Sequence, residues 1–136
     1  MQLFDIEPDP THNYLPYDGT VQYYGKVIQQ FAADDYFDKL MQNIAWENDQ
    51  AIIFGRKIIT KRKVAFLGDE GISYKYSGKT KIAENWLKFI LEIKSTVEQI
   101  SGEKFNACLL NYYHNGSEAM SGHSDNEKEI LKHSAI

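Results

Sequence analysis

Apolar and polar positions alternate in blocks that change period along the chain. After a proline-bearing start, Tyr36, Phe37, Leu40, Met41, Ile44 and Ala45 recur at the three-and-four spacing of an amphipathic helix. Asp34 or Asp35 stands where a carboxylate would accept the free N–H groups of the first turn. This stripe is expected to face a core. Two short β-branched and aromatic runs follow, 51–59 (AIIFGRKII) and 63–67 (KVAFL), broken by Gly55 and by Gly68-Asp69-Glu70-Gly71. They read as strands and turns, with a further strand at Ser73–Ser77. The helical period returns at Ala83, Trp86, Leu87, Ile90, Leu91, Val97 and Ile100, and Gly102 is placed to end that helix. Phe105–Tyr113 is apolar enough for a strand buried on both faces, and Asn115-Gly116 is a turn signal.

The ends behave differently. Pro8, Pro10 and Pro16 all fall in the first 16 residues, so 1–20 reads as an extended lead-in. Residues 21–28 form a short strand or turn, and 126–132 (NEKEILK) alternate charge like a solvated face. The division expected is therefore 1–20 lead-in, 21–103 a helix and strand extension, and 104–136 a separate segment that opens with the strand at Phe105–Tyr113.

Composition adds exclusions. The 136 residues fit one domain, and 43% apolar with 25% charged residues is ordinary globular usage. Two Trp, nine Tyr and seven Phe argue against disorder. A single cysteine, Cys108, allows no internal disulfide and no multi-thiolate zinc site, and reads as a small buried hydrophobe in a reducing cytoplasm. No stretch approaches the ~20 apolar residues of a membrane span, so no membrane partner is expected. The net charge of -4 gives no overall attraction to nucleic acid. Locally the balance reverses: Arg56, Lys57, Lys61, Arg62 and Lys63 place five positive charges in eight residues, with Lys75, Lys79 and Lys81 after them. Interleaved with aromatic rings, such a segment suits phosphate contact and base stacking. Lysines guarding an exposed strand edge would give the same pattern.

His123-Ser124-Asp125 is the densest chemistry. On a strand His123 and Asp125 would point the same way, and an imidazole with a carboxylate supplies two of the three ligands of a non-haem Fe(II) site. A surface turn or a hydrogen-bonded His–Asp pair is the commoner meaning of this triplet alone.

What precedes it is more specific. Asn111-Tyr112-Tyr113-His114-Asn115-Gly116, then six residues, then His123-Ser124-Asp125 resembles the N-x-Y-x-x-G…H-x-D pattern of the AlkB family of Fe(II)/2-oxoglutarate-dependent dioxygenases. Residues 61–78 (KRKVAFLGDEGISYKYSG) resemble that family's P-R-K-x-x-x-x-G-D-x-G-x-x-Y-x-[FY]-S-G stretch, with Lys61 in place of the Pro. The resemblance covers about half of the chain. It implies an α+β protein, an N-terminal helix and strand extension followed by the first strands of a double-stranded β-helix, or jelly roll.

It also implies roles. His123 and Asp125 would bind Fe(II), and Asn111 and Tyr113 would hydrogen-bond the co-substrate 2-oxoglutarate. Tyr74, Tyr76 and Ser77 would border the substrate base, with Glu127 near it, within a nucleotide-recognition segment 56–81. Arg56, Lys57, Lys61, Arg62 and Lys63 would meet the nucleic-acid backbone. The reaction implied is oxidative demethylation of 1-methyladenine and 3-methylcytosine in alkylated DNA, or RNA, with release of formaldehyde, succinate and CO2. Plain strand packing would account for Tyr74 and Tyr76, and a solvated charge for Glu127. His114 and His12 are expected on the surface.

The family's second histidine ligand and its 2-oxoglutarate-binding arginine find no match. His133 is the last histidine and its spacing differs. The expectation is that this chain is the N-terminal part of a longer enzyme, inactive alone, completed by the other half of the core or by self-association. The alternatives are a non-catalytic module holding single-stranded nucleic acid, and an interaction domain in which Asn111, Tyr113 and His123 only pack.

Overall fold

The structure is a computed structural model and describes residues 7–76, 79–120 and 122. Ser77, His123, Asp125, Glu127 and the charged tail lie outside the described residues, and for Tyr76 only the backbone is described. Two compact units emerge, Met1–Asp38 and Lys39–Ile136, with the boundary inside helix α1 (Gln30–Asn43).

In the first unit the lead-in is held by its own polar side chains. Asn13 Oδ1 accepts the Val21 N–H at 2.8 Å, its Nδ2 donates to the Gly19 carbonyl, and Asp9 bridges to Tyr23. Residues 21–28 therefore give a single bridge and no strand ladder. Helix α1 starts at Gln30, before the aspartates expected to cap it. Asp34 instead accepts from Gln30 Nε2 one turn back. Of the predicted stripe, Leu40 and Ile44 pack on the core of the second unit, while Phe37 and Met41 are exposed.

The second unit is a mixed α/β assembly around one long strand. β1 (Glu47–Ile53) turns at Phe54-Gly55 into β2 (Arg56–Gly68), so the first predicted run is split by the turn and its second half, 56–59, shares β2 with the run 63–67. β3 (Ser73–Tyr76) and β4 (Lys79–Ile82) form a separate hairpin. β5 (Glu84–Asn85) pairs parallel with the end of β2, on the side β1 occupies further back. Helix α2 (Lys88–Ser101) leads through Gly102 to β6 (Ala107–Tyr112), which pairs antiparallel with the other edge of β2.

The core lies on one face of this sheet. Ala65 and Leu67 point at Ile90 of α2, and Trp46, Trp86, Leu87, Phe89, Ile93 and Leu110 close around them. Gly102, at φ 76°, takes the left-handed position that ends α2, and its N–H bonds the Glu98 carbonyl at 3.0 Å. Among the described residues no helix is long and apolar enough to cross a membrane.

Candidate active-site face

Strand alternation splits β2 and β6 into two faces. Leu67 opposite Cys108 and Ala65 opposite Leu110 look towards α2. Val64 opposite Asn111 and Phe66 opposite Leu109 look the other way, because directly paired residues share a face. Two residues further on, Arg62 and Tyr113 join that second face, with the Arg62 guanidinium carbon 6.0 Å from the Tyr113 ring centre. β6 is thus not buried on both sides as its composition predicts: Leu109 is 47% and Tyr113 37% exposed, and Asn111 is exposed as well. Its apolar letters serve two purposes, Leu110 packing on the core that holds Ile90 and Leu109 staying open.

Residues 61–76 divide between framework and face. Gly68 is needed for close approach, since a Cβ there would sit 2.8 Å from the Asn106 carbonyl oxygen. Asp69 accepts the Trp86 indole N–H at 2.7 Å, and Gly71 turns the chain at φ 82°. These hold the β2 end, β6 and the start of α2 together and launch the β3–β4 hairpin. Tyr74 of that hairpin meets Phe66 edge to face at 4.6 Å, and Lys81, paired with Tyr74 across it, lies 3.7 Å from Asp49. The hairpin is therefore attached to the same face that presents Asn111 and Tyr113.

The basic segment separates into unlike members. Arg56, Lys57 and Lys61 are exposed and Lys63 half-buried. Arg62 corrects the expectation of backbone contact: it is 7% exposed and ion-paired with Asp49, itself 4% exposed. Burial opposes the Arg62 charge, but hydrogen bonds to Asp49 and Tyr113 outweigh it and raise the guanidinium above its usual pKa. An arginine so enclosed is not offered to phosphate. His114 is on the surface and pairs with Glu118 at 3.0 Å; those hydrogen bonds, with Lys61 nearby, hold the Glu118 carboxyl below the usual range. Burial raises the Cys108 thiol pKa.

The pattern of letters missed Phe54. It is 100% exposed at the tip of the β1–β2 hairpin, with φ 49°, followed by Gly55 at φ 74°. Ile52, Ile53, Ile58 and Ile59 are 42–64% exposed behind it, and Arg56 and Lys57 flank the turn. Two successive positive φ values mark a type I′ turn, where Asn-Gly is preferred. A bulky ring in that place, burying nothing, is the signal that could have singled it out.

Residues 20–136 match the 2OG-Fe(II) oxygenase superfamily. The chain is 27% identical to DNA oxidative demethylase ALKBH2 of Homo sapiens over 130 residues, 93% of this chain and 50% of that protein. It belongs to the AlkB-type 2OG-Fe(II) oxygenases. It is also 30% identical to ALKBH2 of Arabidopsis thaliana over 97 residues, 68% of this chain and 31% of that protein. To alpha-ketoglutarate-dependent dioxygenase alkB homolog 3 of Rattus norvegicus it is 30% identical over 102 residues, 72% of this chain and 33% of that protein. The chain spans about half the length of the first of these relatives.

For this AlkB-type chain the family's co-substrate can be tested against the open face. Asn111 and Tyr113 place an amide and a phenol there, beside the Arg62 guanidinium, whose Nε has no hydrogen-bond partner among the described residues. Donors on an open surface with a buried cation behind them fit a dicarboxylate. No group of three metal-binding side chains occurs among the described residues, and His123 and Asp125 are outside them. As a donor set, one imidazole and one carboxylate suit Fe(II).

Proposed function

We propose that the protein carrying this chain removes N-methyl groups from bases in alkylated DNA, using Fe(II), O2 and 2-oxoglutarate. The observation that carries the reading is the common face: Asn111 on β6 and Tyr113 just past its end, beside Arg62, stand on the side where the β3–β4 hairpin attaches through Tyr74. In this reading β2 and β6 are the first strands of the jelly roll, and their open face is its interior. The names of the relatives, DNA oxidative demethylases in the case of ALKBH2, supply the substrate class.

His123 and Asp125 would hold Fe(II), and Asn111 and Tyr113 would orient 2-oxoglutarate by hydrogen bonds to its oxygens. Bound together, iron and 2-oxoglutarate supply the oxidation of a methyl carbon by O2, giving formaldehyde, succinate, CO2 and the unmethylated base. The chain's own contribution is placement. The Tyr74 ring, braced on Phe66, would border the base, and a methylated base is cheaper to turn out of the helix because its pairing is already weak. Arg56, Lys57 and Lys61 would meet phosphates, with affinity falling as salt rises. The Phe54 tip would enter the base stack, as apolar wedges on DNA-bending proteins do.

The test uses the full-length gene product with Fe(II), 2-oxoglutarate and an oligonucleotide bearing 1-methyladenine. Equimolar formaldehyde and succinate are expected, and His123→Ala or Asp125→Ala should abolish both. Turnover surviving in either variant would reject the assignment. An RNA oligonucleotide preferred over DNA of the same sequence would move the substrate to RNA.

A further inference from the structure

Asp49 has no counterpart in the motifs, yet it is the most enclosed acidic side chain among the described residues, 4% exposed. It lies on β1 where the ladder with β2 is irregular: Asn48 pairs Lys63 and Gln50 pairs Ile59, leaving residues 60–62 opposite Asp49. Thr60 Oγ1 donates within this bulge, 3.2 Å from the Asp49 carbonyl and 3.1 Å from that of Arg62, which fixes both backbones. The Asp49 carboxylate then faces two cations. Oδ2 accepts from Arg62 Nη2, and Oδ1 is 3.7 Å from Lys81 Nζ on β4.

Arg62 relays this anchor towards the co-substrate face. Its Nη1 donates to Met120 Sδ at 2.9 Å, and its guanidinium lies over the Tyr113 ring. Tyr113 sits one residue beyond the end of β6, so strand pairing does not hold it. A buried guanidinium is rigid only while a carboxylate balances it. The direction and distance at which Arg62 meets Tyr113 are therefore set from β1.

We propose that Asp49 is a positioning residue for 2-oxoglutarate, acting through Arg62 on Tyr113, and that its second oxygen ties the β3–β4 hairpin to the same anchor through Lys81. This rests on the reading of Tyr113 as a 2-oxoglutarate contact. One carboxylate then governs both the co-substrate strand and the hairpin above it.

The experiment titrates 2-oxoglutarate calorimetrically into the full-length gene product, with Mn(II) replacing Fe(II) so that nothing turns over. Tyr113→Phe comes first, and an unchanged Kd there rejects the reading of Tyr113 itself. With that loss established, Asp49→Asn should weaken 2-oxoglutarate about tenfold. Combined with Tyr113→Phe it should weaken binding no further than Tyr113→Phe alone. A wild-type Kd for Asp49→Asn, or losses that multiply, overturns the proposal and leaves the site reading standing. Because Asp49→Asn leaves Arg62 buried without its counter-charge, the paired variant Asp49→Leu with Arg62→Met is measured beside it. Apolar replacement of both partners should preserve thermal stability yet bind 2-oxoglutarate as weakly as Tyr113→Phe. A stable paired variant with wild-type affinity refutes the relay. For the second oxygen, Lys81→Met should speed amide exchange across the hairpin, and an unchanged rate there refutes the tie.

Discussion

Replacing Phe54 by asparagine separates what the hairpin tip does for folding from what it does for binding. Phe54 is fully exposed, so its ring contributes no burial to the folded state, while its backbone is held at φ 49°. A non-glycine residue in the left-handed region costs about 1–2 kcal/mol, and asparagine visits that region more readily. An asparagine directly ahead of Gly55 would also make the preferred pair for this turn. Phe54→Asn should therefore stabilise the protein, by roughly 0.5–1 kcal/mol, a rise of a few degrees in Tm. Binding should move the other way. Stacking of one aromatic ring on bases is worth about 1–3 kcal/mol, so affinity for an oligonucleotide should fall about 5- to 150-fold. Scanning calorimetry gives the first number, and fluorescence anisotropy with a labelled oligonucleotide at fixed salt gives the second. Equal affinity in the two proteins would show that the tip does not touch the bases. A lowered Tm would show that the ring is packed against something that its exposure does not reveal.

Two further outcomes follow from the framework. Gly68→Ala would press a methyl to 2.8 Å from the Asn106 carbonyl oxygen, which also accepts the Asp69 N–H. It should cost about 1–3 kcal/mol in urea unfolding, and an unchanged midpoint would mean that the β2–β6 approach is looser than described. Glu98 is held at a pKa of about 2, first by the Phe105 N–H and then by Lys104, against an ordinary 4.5. Its folded-state pKa is lowered, so the stability it brings is present above 4.5 and is lost as the pH falls towards about 2. Glu98→Gln should flatten the acid limb of a plot of Tm against pH in that window; an acid limb identical to wild type would sink the assignment.

Several elements were legible because local pattern and tertiary packing agree. Gly102 ends α2 where the sequence places a stop, and Ser73–Tyr76 forms the predicted strand. Strand period sets the expected direction of Asn111 and Tyr113; the register places Asn111 opposite Val64, while Tyr113 lies one residue past the end of β6, beside Arg62. Others were decided by partners far away in sequence. Ala83, Trp86 and Leu87 fit the helical period, but Glu84-Asn85 pairs with the end of β2 and the Trp86 indole is held by Asp69, so α2 begins only at Lys88. Arg62 reads as one more cation in a basic run, since nothing near it in sequence announces Asp49, 13 positions away. The positive φ of Phe54 is likewise invisible in its letter; only the Gly beside it hints at a tight reversal.

The irregularity in β2 also limits how this architecture can vary. Between matching ladder pairs β1 contributes one residue and β2 three, a surplus of two. An even surplus leaves every side chain on its original side. Deleting one residue from 60–62 would roll the distal arm over, exchanging the sides of Arg56 and Ile58 with those of Lys57 and Ile59. Deleting two would remove the bulge and leave Gln50–Ile53 paired with Arg56–Ile59 as before. The bulge can thus be lost only as a pair of residues if the sides presented along the arm are to stay constant.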